Sequence, residues 1–149
     1  MKLTNKVLYR PAKPFTEFDR PTQNLFLADQ MFSFMRKNDG IGLAAPQVGM
    51  SKRLFVMEIA AVKRICFNPE VIGHSDDLTE YPEGCLSFPG EECKIKRPSA
   101  VTVRYQTVDG TWVEEKLDGL AARCFQHELD HLDGIIMHDR AKEQNATKS

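Results

Sequence analysis

Near the end of the chain the sequence reads His127-Glu128-Leu129-Asp130-His131. Histidines at i and i+4 stand on one face of a helix, one turn apart. Their ring nitrogens can converge on a single ion at the ~2.0–2.1 Å that zinc prefers. Glu128, one residue after the first histidine, can address a water on that ion as the general base of metal-assisted amide hydrolysis. The bare H-E-x-x-H pattern also arises in helices that bind nothing. A catalytic centre of this kind needs three protein ligands and an open position for water.

Four residues are candidates for the third ligand. A metzincin spacing would put a histidine at 137, but that residue is Met137 and His138 is one place late, although Gly134 falls in the expected position. Glu143 lies 12 residues past His131, in a polar tail. Cys124 is at i−3 from His127 and so shares its face; a small buried apolar residue is the competing reading, since free cysteine is among the most buried types. Cys85, in the middle of the chain, is the fourth.

These residues need elements to hold them. A helix fits 22–37, where Leu25, Ala28, Met31, Phe32 and Met35 recur at helical spacing, Thr22 is a candidate N-cap and Gly40 lies past the end. Residues 40–49 are too rich in small side chains for a regular element and read as a loop. Strands fit 53–59 and 65–67, with a turn at Asn68-Pro69, and 73–84 is polar and irregular. Strands at 100–106 and 111–117 are joined through Asp109-Gly110, a strong hairpin signal. The last helix begins near Asp118-Gly119 and runs to about Leu132, with Gly134 as its C′ residue. The tail at 141–149 is polar and expected to fray. Helix, strands, then helix predicts an α+β fold, with mostly antiparallel sheets wrapped around the C-terminal helix that carries H-E-x-x-H.

The 149 residues suit a single domain, 1–149. A formal net charge of −1 gives no pull toward nucleic acid or an anionic membrane, so neither partner is expected. The N-terminus has no secretory apolar core and no run approaches the ~20 apolar residues of a membrane span, which predicts a cytoplasmic protein. The four cysteines, Cys66, Cys85, Cys93 and Cys124, are then expected as free thiols or metal ligands.

Three stretches carry a family resemblance. Gly40-Ile41-Gly42-Leu43-Ala44-Ala45-Pro46-Gln47, Glu83-Gly84-Cys85-Leu86-Ser87 and Gln126-His127-Glu128-Leu129-Asp130-His131-Leu132-Asp133-Gly134 are similar to the G-x-G-x-A-A-x-Q, E-G-C-x-S and Q-H-E-x-D-H-L-x-G motifs of peptide deformylases. The order and spacing match too, and the resemblance spans roughly residues 5–140. It implies a hydrolase that removes the N-formyl group from N-formylmethionyl nascent peptides and releases formate. The readings it competes with are an H-E-x-x-H endoprotease and a non-catalytic metal-binding module closed by a fourth ligand such as Cys124.

The resemblance implies Cys85, His127 and His131 as ligands of one divalent ion. Fe²⁺ is the expected native metal, with Zn²⁺, Ni²⁺ or Co²⁺ able to replace it. It implies Glu128 as base, and the Gln47 side-chain amide with the backbone N–H of Leu86 as oxyanion donors. The backbone near Ile41 and Gly42 is expected to pair with substrate like an added strand. Ile41, Tyr81, Leu86, Leu120, Arg123, Cys124 and His127 match the pocket for the methionine side chain. Arg123 departs from the aliphatic residue common there. With its stem on the wall and its head in water, it predicts relaxed selectivity and polar contacts at the rim. Glu83 and Arg97 match an ion pair that supports the cysteine loop. Only 18 residues follow His131, so the chain resembles a minimal, phage-like member working in a host cytoplasm, without the long C-terminal helix that docks other members to the ribosome.

Overall fold

A computed structural model describes residues 1–146. A five-stranded antiparallel sheet runs in the order β1 (Gly42–Ala44), β2 (Leu54–Ile59), β3 (Val62–His74), β6 (Ala100–Gln106), β7 (Trp112–Asp118). Helix α1 (Pro21–Lys37) covers one face and α2 (Gly119–Leu132) the other. Successive side chains of a strand point to opposite faces. Leu54 and Val56 therefore join Phe32, Met35 and Phe67 under α1, while Phe55 and Met57 join Phe125 and Leu132 under α2. Both faces are covered, so 54–57 is a continuous apolar run and not an alternation. On β6, Val101, Val103 and Tyr105 are buried between more exposed neighbours, which is the half-buried pattern expected from the sequence.

Several expectations change. Helix α1 starts at Pro21, the N1 residue, with Arg20 as N-cap; proline's fixed φ favours that position, so Thr22 lies inside the helix. The loop expected over 40–49 contains β1 and a 3-10 turn over Ala45–Val48. Asn68-Pro69 makes no chain reversal. Asn68 takes φ 48° within β3, at a register break between Phe67 and Glu70, and its side chain bonds Phe15 N, Phe15 O and Gln106 Oε1 at 2.8 Å each. This is a bulge, where an asparagine in the left-handed region and a proline are both tolerated.

The segment read as irregular is strand β4 (Leu78–Cys85), paired with an unexpected β5 (Phe88–Pro98) in a separate two-stranded sheet. Most of its side chains are exposed, and Glu83, Ile95 and Arg97 are its buried ones. The polar tail is also ordered farther than expected. Helix α3 spans Met137–Ala146, held to β5 by Gln144, whose Oε1 accepts from Lys96 N and whose Nε2 donates to Lys96 O, both at 2.9 Å. Side-chain bonds to a strand edge, not an apolar stripe, fix this helix. Residues 147–149 of that tail lie outside the described residues.

Helix α2 ends as expected. Asp133 caps it and Gly134 takes φ +76°. A Cβ there would meet Arg10 backbone atoms at 2.9–3.0 Å, so glycine is required for both conformation and space.

Candidate metal centre and active site

Cys85 is the last residue of β4, and the turn Leu86-Ser87 returns the chain to β5. That turn brings the sulfur over α2. The Cys85 Sγ lies 3.4 Å from His131 Nε2, and the ligand atoms of Cys85, His127 and His131 all fall within 4.8 Å of one another. Among the described residues no other group of His, Cys, Asp or Glu converges so closely. The imidazoles are one turn apart, with centroids at 5.0 Å and planes at 76°. His138 instead meets Glu91 at 3.1 Å, Glu143 lies beside Arg140 on the surface, and the Cys124 thiol faces the Ile41 carbonyl at 3.8 Å. All four cysteines are free.

Charge around the centre is held by a buried network. Arg97 forks onto Glu83, Nε to Oε2 at 2.6 Å and Nη2 to Oε1 at 2.8 Å, and reaches Asp130 at 2.9 Å. Asp130 also accepts from Arg140 on α3. His127 Nδ1 meets Glu83 Oε1 at 2.8 Å. With the carboxylate as acceptor, that contact keeps a proton on Nδ1 and turns Nε2 toward Cys85 and His131, where it would give up its own proton on binding a metal. Burial opposes the ionised Glu83, but its bonds to Arg97 and His127 bring its pKa down to about 2. Burial alone would lower His127; Cys85, Glu83 and Glu128 raise it to about 10. Burial and the neighbouring His127 push His131 down to about 3. Two imidazoles so close do not charge together.

The donor set suits a divalent ion. One thiol and two imidazoles leave a position for water, as hydrolytic sites require. Glu128 supports the fit. It is buried, its Oε1 has no hydrogen-bond partner, and burial raises its pKa to about 7. A buried acceptor without a donor costs about 1–3 kcal/mol, and a water beside the centre would supply one.

Gln47 is also buried at the centre. Its Oε1 accepts from Ala44 N at 2.9 Å, and its Nε2 donates to Ser87 Oγ at 3.1 Å and toward Cys85 Sγ at 3.4 Å. The amide therefore holds the glycine loop and aims its donors at the sulfur. Gly42 is pressed against this machinery. A Cβ there would lie 2.6 Å from Glu128 Oε2 and 2.9 Å from Cys124 Sγ. A Cβ on Gly40 would lie 2.7 Å from Leu86 Cδ1.

A cavity of about 780 Å³ opens onto Cys85, His127, Glu128 and Gln47. Ile41, Tyr81 and Leu120 stand on its lining as exposed large apolar side chains, and such clusters on a concave surface mark ligand grooves. Strand β1 is an edge of its sheet, so the segment at Ile41 and Gly42 borders the cavity with one side unpaired to any strand. Leu86, Arg123 and Cys124 complete the expected wall.

The structure corrects Arg123. Its guanidinium does not reach water at the rim. It donates to Glu83 Oε2 at 2.6 Å, Ile95 O at 3.0 Å, and Thr79 O and Oγ1 at 2.7 and 3.2 Å. These acceptors offer the charged head more than the open rim would, and the residue is 8% exposed. Sequence reasoning also missed Thr79, Ser87 and Asp130 as supporting partners. Ser87 and Asp130 sit inside the motifs quoted above, which was the available signal.

The sequence profile of the polypeptide deformylase family matches residues 1–147. The chain belongs to that family. A peptide deformylase of Thermotoga neapolitana is 46% identical over 136 residues, covering 91% of this chain and 82% of that protein. The crystal structure of peptide deformylase from Thermotoga maritima superposes with a TM-score of 0.87 at 42% identity, covering 94% and 95% of the two chains. An Arabidopsis thaliana peptide deformylase 1B in complex with an inhibitor gives 0.89 at 36% identity, covering 99% and 85%. These relatives are bacterial and plant proteins, and the phage-like character expected from the sequence is not borne out. The reaction is metal-dependent hydrolysis of the N-formyl group of N-formylmethionyl nascent peptides, with release of formate. Family membership sets aside the endoprotease and the non-catalytic module. No helix among the described residues is long and apolar enough to cross a membrane.

Proposed function

We propose that Cys85, His127 and His131 hold the divalent ion and that Glu128 and Gln47 work beside it. The observation that carries this reading is the convergence of the three ligand atoms within 4.8 Å, next to a buried carboxylate oxygen that has no partner. When bound, the ion supplies a Lewis acid that acidifies water and polarises the formyl oxygen. Glu128 accepts the proton of the attacking water and returns a proton to the departing amine. Its pKa, raised by burial, suits both roles near neutral pH. Gln47 Nε2 and the Leu86 N–H donate to the developing oxyanion, and one such donor is worth roughly 3–4 kcal/mol. The unpaired edge at Ile41 and Gly42 takes the substrate backbone as an added strand.

Tyr81, Leu86, Leu120, Cys124 and the stem of Arg123 enclose the methionine side chain. With its head engaged, Arg123 presents an apolar wall, so formyl-Met peptides are preferred over formyl-Gln peptides. Equal kcat/KM for the two would restore the polar rim. Fe²⁺ is the native ion in this reading. The thiolate ligand makes the loaded protein sensitive to oxygen. The protein works on nascent chains in the cytoplasm, without contacting nucleic acid.

The test is formate release from formyl-Met-Ala-Ser after anaerobic loading with Fe²⁺. The chain releases formate, while Glu128→Ala keeps its metal and loses roughly 10²–10⁴-fold in kcat. A Glu128→Ala protein of undiminished kcat would remove Glu128 from the chemistry.

A further inference from the structure

The Arg123 stem lies on the wall of the cavity, while its head is spent elsewhere. Arg123 and His127 are four residues apart on α2 and therefore share a face. Both reach the same carboxylate, His127 Nδ1 to Glu83 Oε1 and Arg123 Nη1 to Glu83 Oε2. Arg97 bridges both oxygens from the other side. Four donors thus converge on one carboxylate and leave it no freedom to turn.

The same guanidinium ties α2 to both strands of the β4–β5 hairpin, through Thr79 O on β4 and Ile95 O on β5. The first of those strands ends at Cys85. One head therefore braces the acceptor that orients the first imidazole and the strands that deliver the sulfur.

We infer that Arg123 is a positioning residue for the metal centre, acting on His127 through Glu83 while its stem forms the pocket wall. This rests on the ligand set proposed above. It also explains why a long cation can stand at a pocket wall where an aliphatic side chain would suffice for packing. Groups that orient metal ligands typically contribute about 10–100-fold in metal affinity or activity.

The experiment uses the full chain loaded with Co²⁺. It measures Co²⁺ retention against a chelator, the visible spectrum of the bound ion, and kcat and KM for formyl-Met-Ala-Ser. Arg123→Met keeps a flexible apolar wall and removes all four bonds. It is expected to retain Co²⁺ about 10–100-fold more weakly, with a shifted spectrum and a larger change in kcat than in KM. Arg123→Lys restores part of the loss. In the background of Glu83→Gln, Arg123→Met costs less than it does in the wild-type chain, because the Glu83 contact is shared by the two changes while the bonds to Thr79 and Ile95 are not.

Wild-type retention and spectrum in Arg123→Met, with only KM raised, would make Arg123 a wall residue and overturn the inference. A lowered melting temperature with unchanged retention would make it merely structural and overturn the inference equally. If Arg123→Met does not fold, Arg123→Lys decides, since one ammonium cannot satisfy Glu83, Ile95 and Thr79 together; unchanged retention there also overturns the inference. Failure of the ligand set is separate: it would appear as undiminished Co²⁺ binding in His131→Ala.

Discussion

Replacing Gly42 with alanine tests how tightly the glycine loop is fitted to the Glu128 carboxylate and whether that carboxylate takes part in the chemistry. Gly42 is not among the residues of positive φ, so alanine meets no backbone strain there and the effect is one of space. The new Cβ would sit 2.6 Å from Glu128 Oε2, 3.0 Å from its Cδ and 2.9 Å from Cys124 Sγ. An ordinary carbon–oxygen contact lies near ~3.4 Å, so the carboxylate must withdraw by about 0.8 Å. It is buried and cannot swing freely into solvent. A displacement of about 1 Å in a reacting group costs on the order of 10²-fold, or about 2.7 kcal/mol of barrier. The added methyl does not reach the proposed ligands Cys85, His127 and His131, so bound metal should stay at the wild-type level. The assay is steady-state deformylation of formyl-Met-Ala-Ser, with metal content and melting temperature measured on the same protein. A roughly 10²-fold loss in kcat with the metal retained is expected. An unchanged kcat would refute the reasoning, and a rise confined to KM would show that Gly42 serves substrate approach and leaves Glu128 undisturbed.

Two further outcomes follow from the buried polar groups. Gln47→Ala should lower kcat by roughly 10²–10³-fold through the lost oxyanion donor and cost about 1–3 kcal/mol of stability by leaving the Ala44 N–H unpaired, while metal remains; metal and activity falling together would make Gln47 structural. Glu83 has its folded pKa lowered from the ordinary 4.5 to about 2, so its stabilisation is present above about 4.5 and is lost as pH falls toward 2. The shift corresponds to about 3 kcal/mol. Urea unfolding of the metal-stripped chain between pH 6 and pH 3 should therefore show Glu83→Gln less stable at pH 6, with the two proteins converging in acid. Parallel curves would show that the carboxylate's pairing does not set this dependence.

The residues proposed to do the chemistry were legible where their spacing is a property of one helix. His127, Glu128 and His131 need only the 3.6-residue turn of α2 to share a face. The β6–β7 hairpin was legible for a similar local reason, with Asp109-Gly110 between alternating strands. Strands β4 and β5 were not. Their two-stranded sheet is exposed on most positions, so neither strand carries an apolar alternation, and their few buried residues, Glu83 and Arg97 among them, look like surface charges. Helix α3 was hidden for a related reason, because Gln144 and Arg140 anchor it through polar bonds. The proposed third ligand needed the family motif, since nothing local separates Cys85 from Cys124. Arg123 shows the limit most plainly. The family resemblance put it on the pocket wall, and it lines the cavity, but the destination of its head depended on Glu83, 40 residues earlier, and on carbonyls of two strands the sequence did not reveal.

The most direct measurement is the absorption spectrum of the Co²⁺-loaded protein in three cysteine variants. A thiolate bound to the ion gives a charge-transfer band. The band should vanish in Cys85→Ala, with metal retention falling as well, and persist in Cys124→Ala and Cys93→Ala. Persistence of the band in Cys85→Ala, or its loss in Cys124→Ala, would contradict the assignment of the centre.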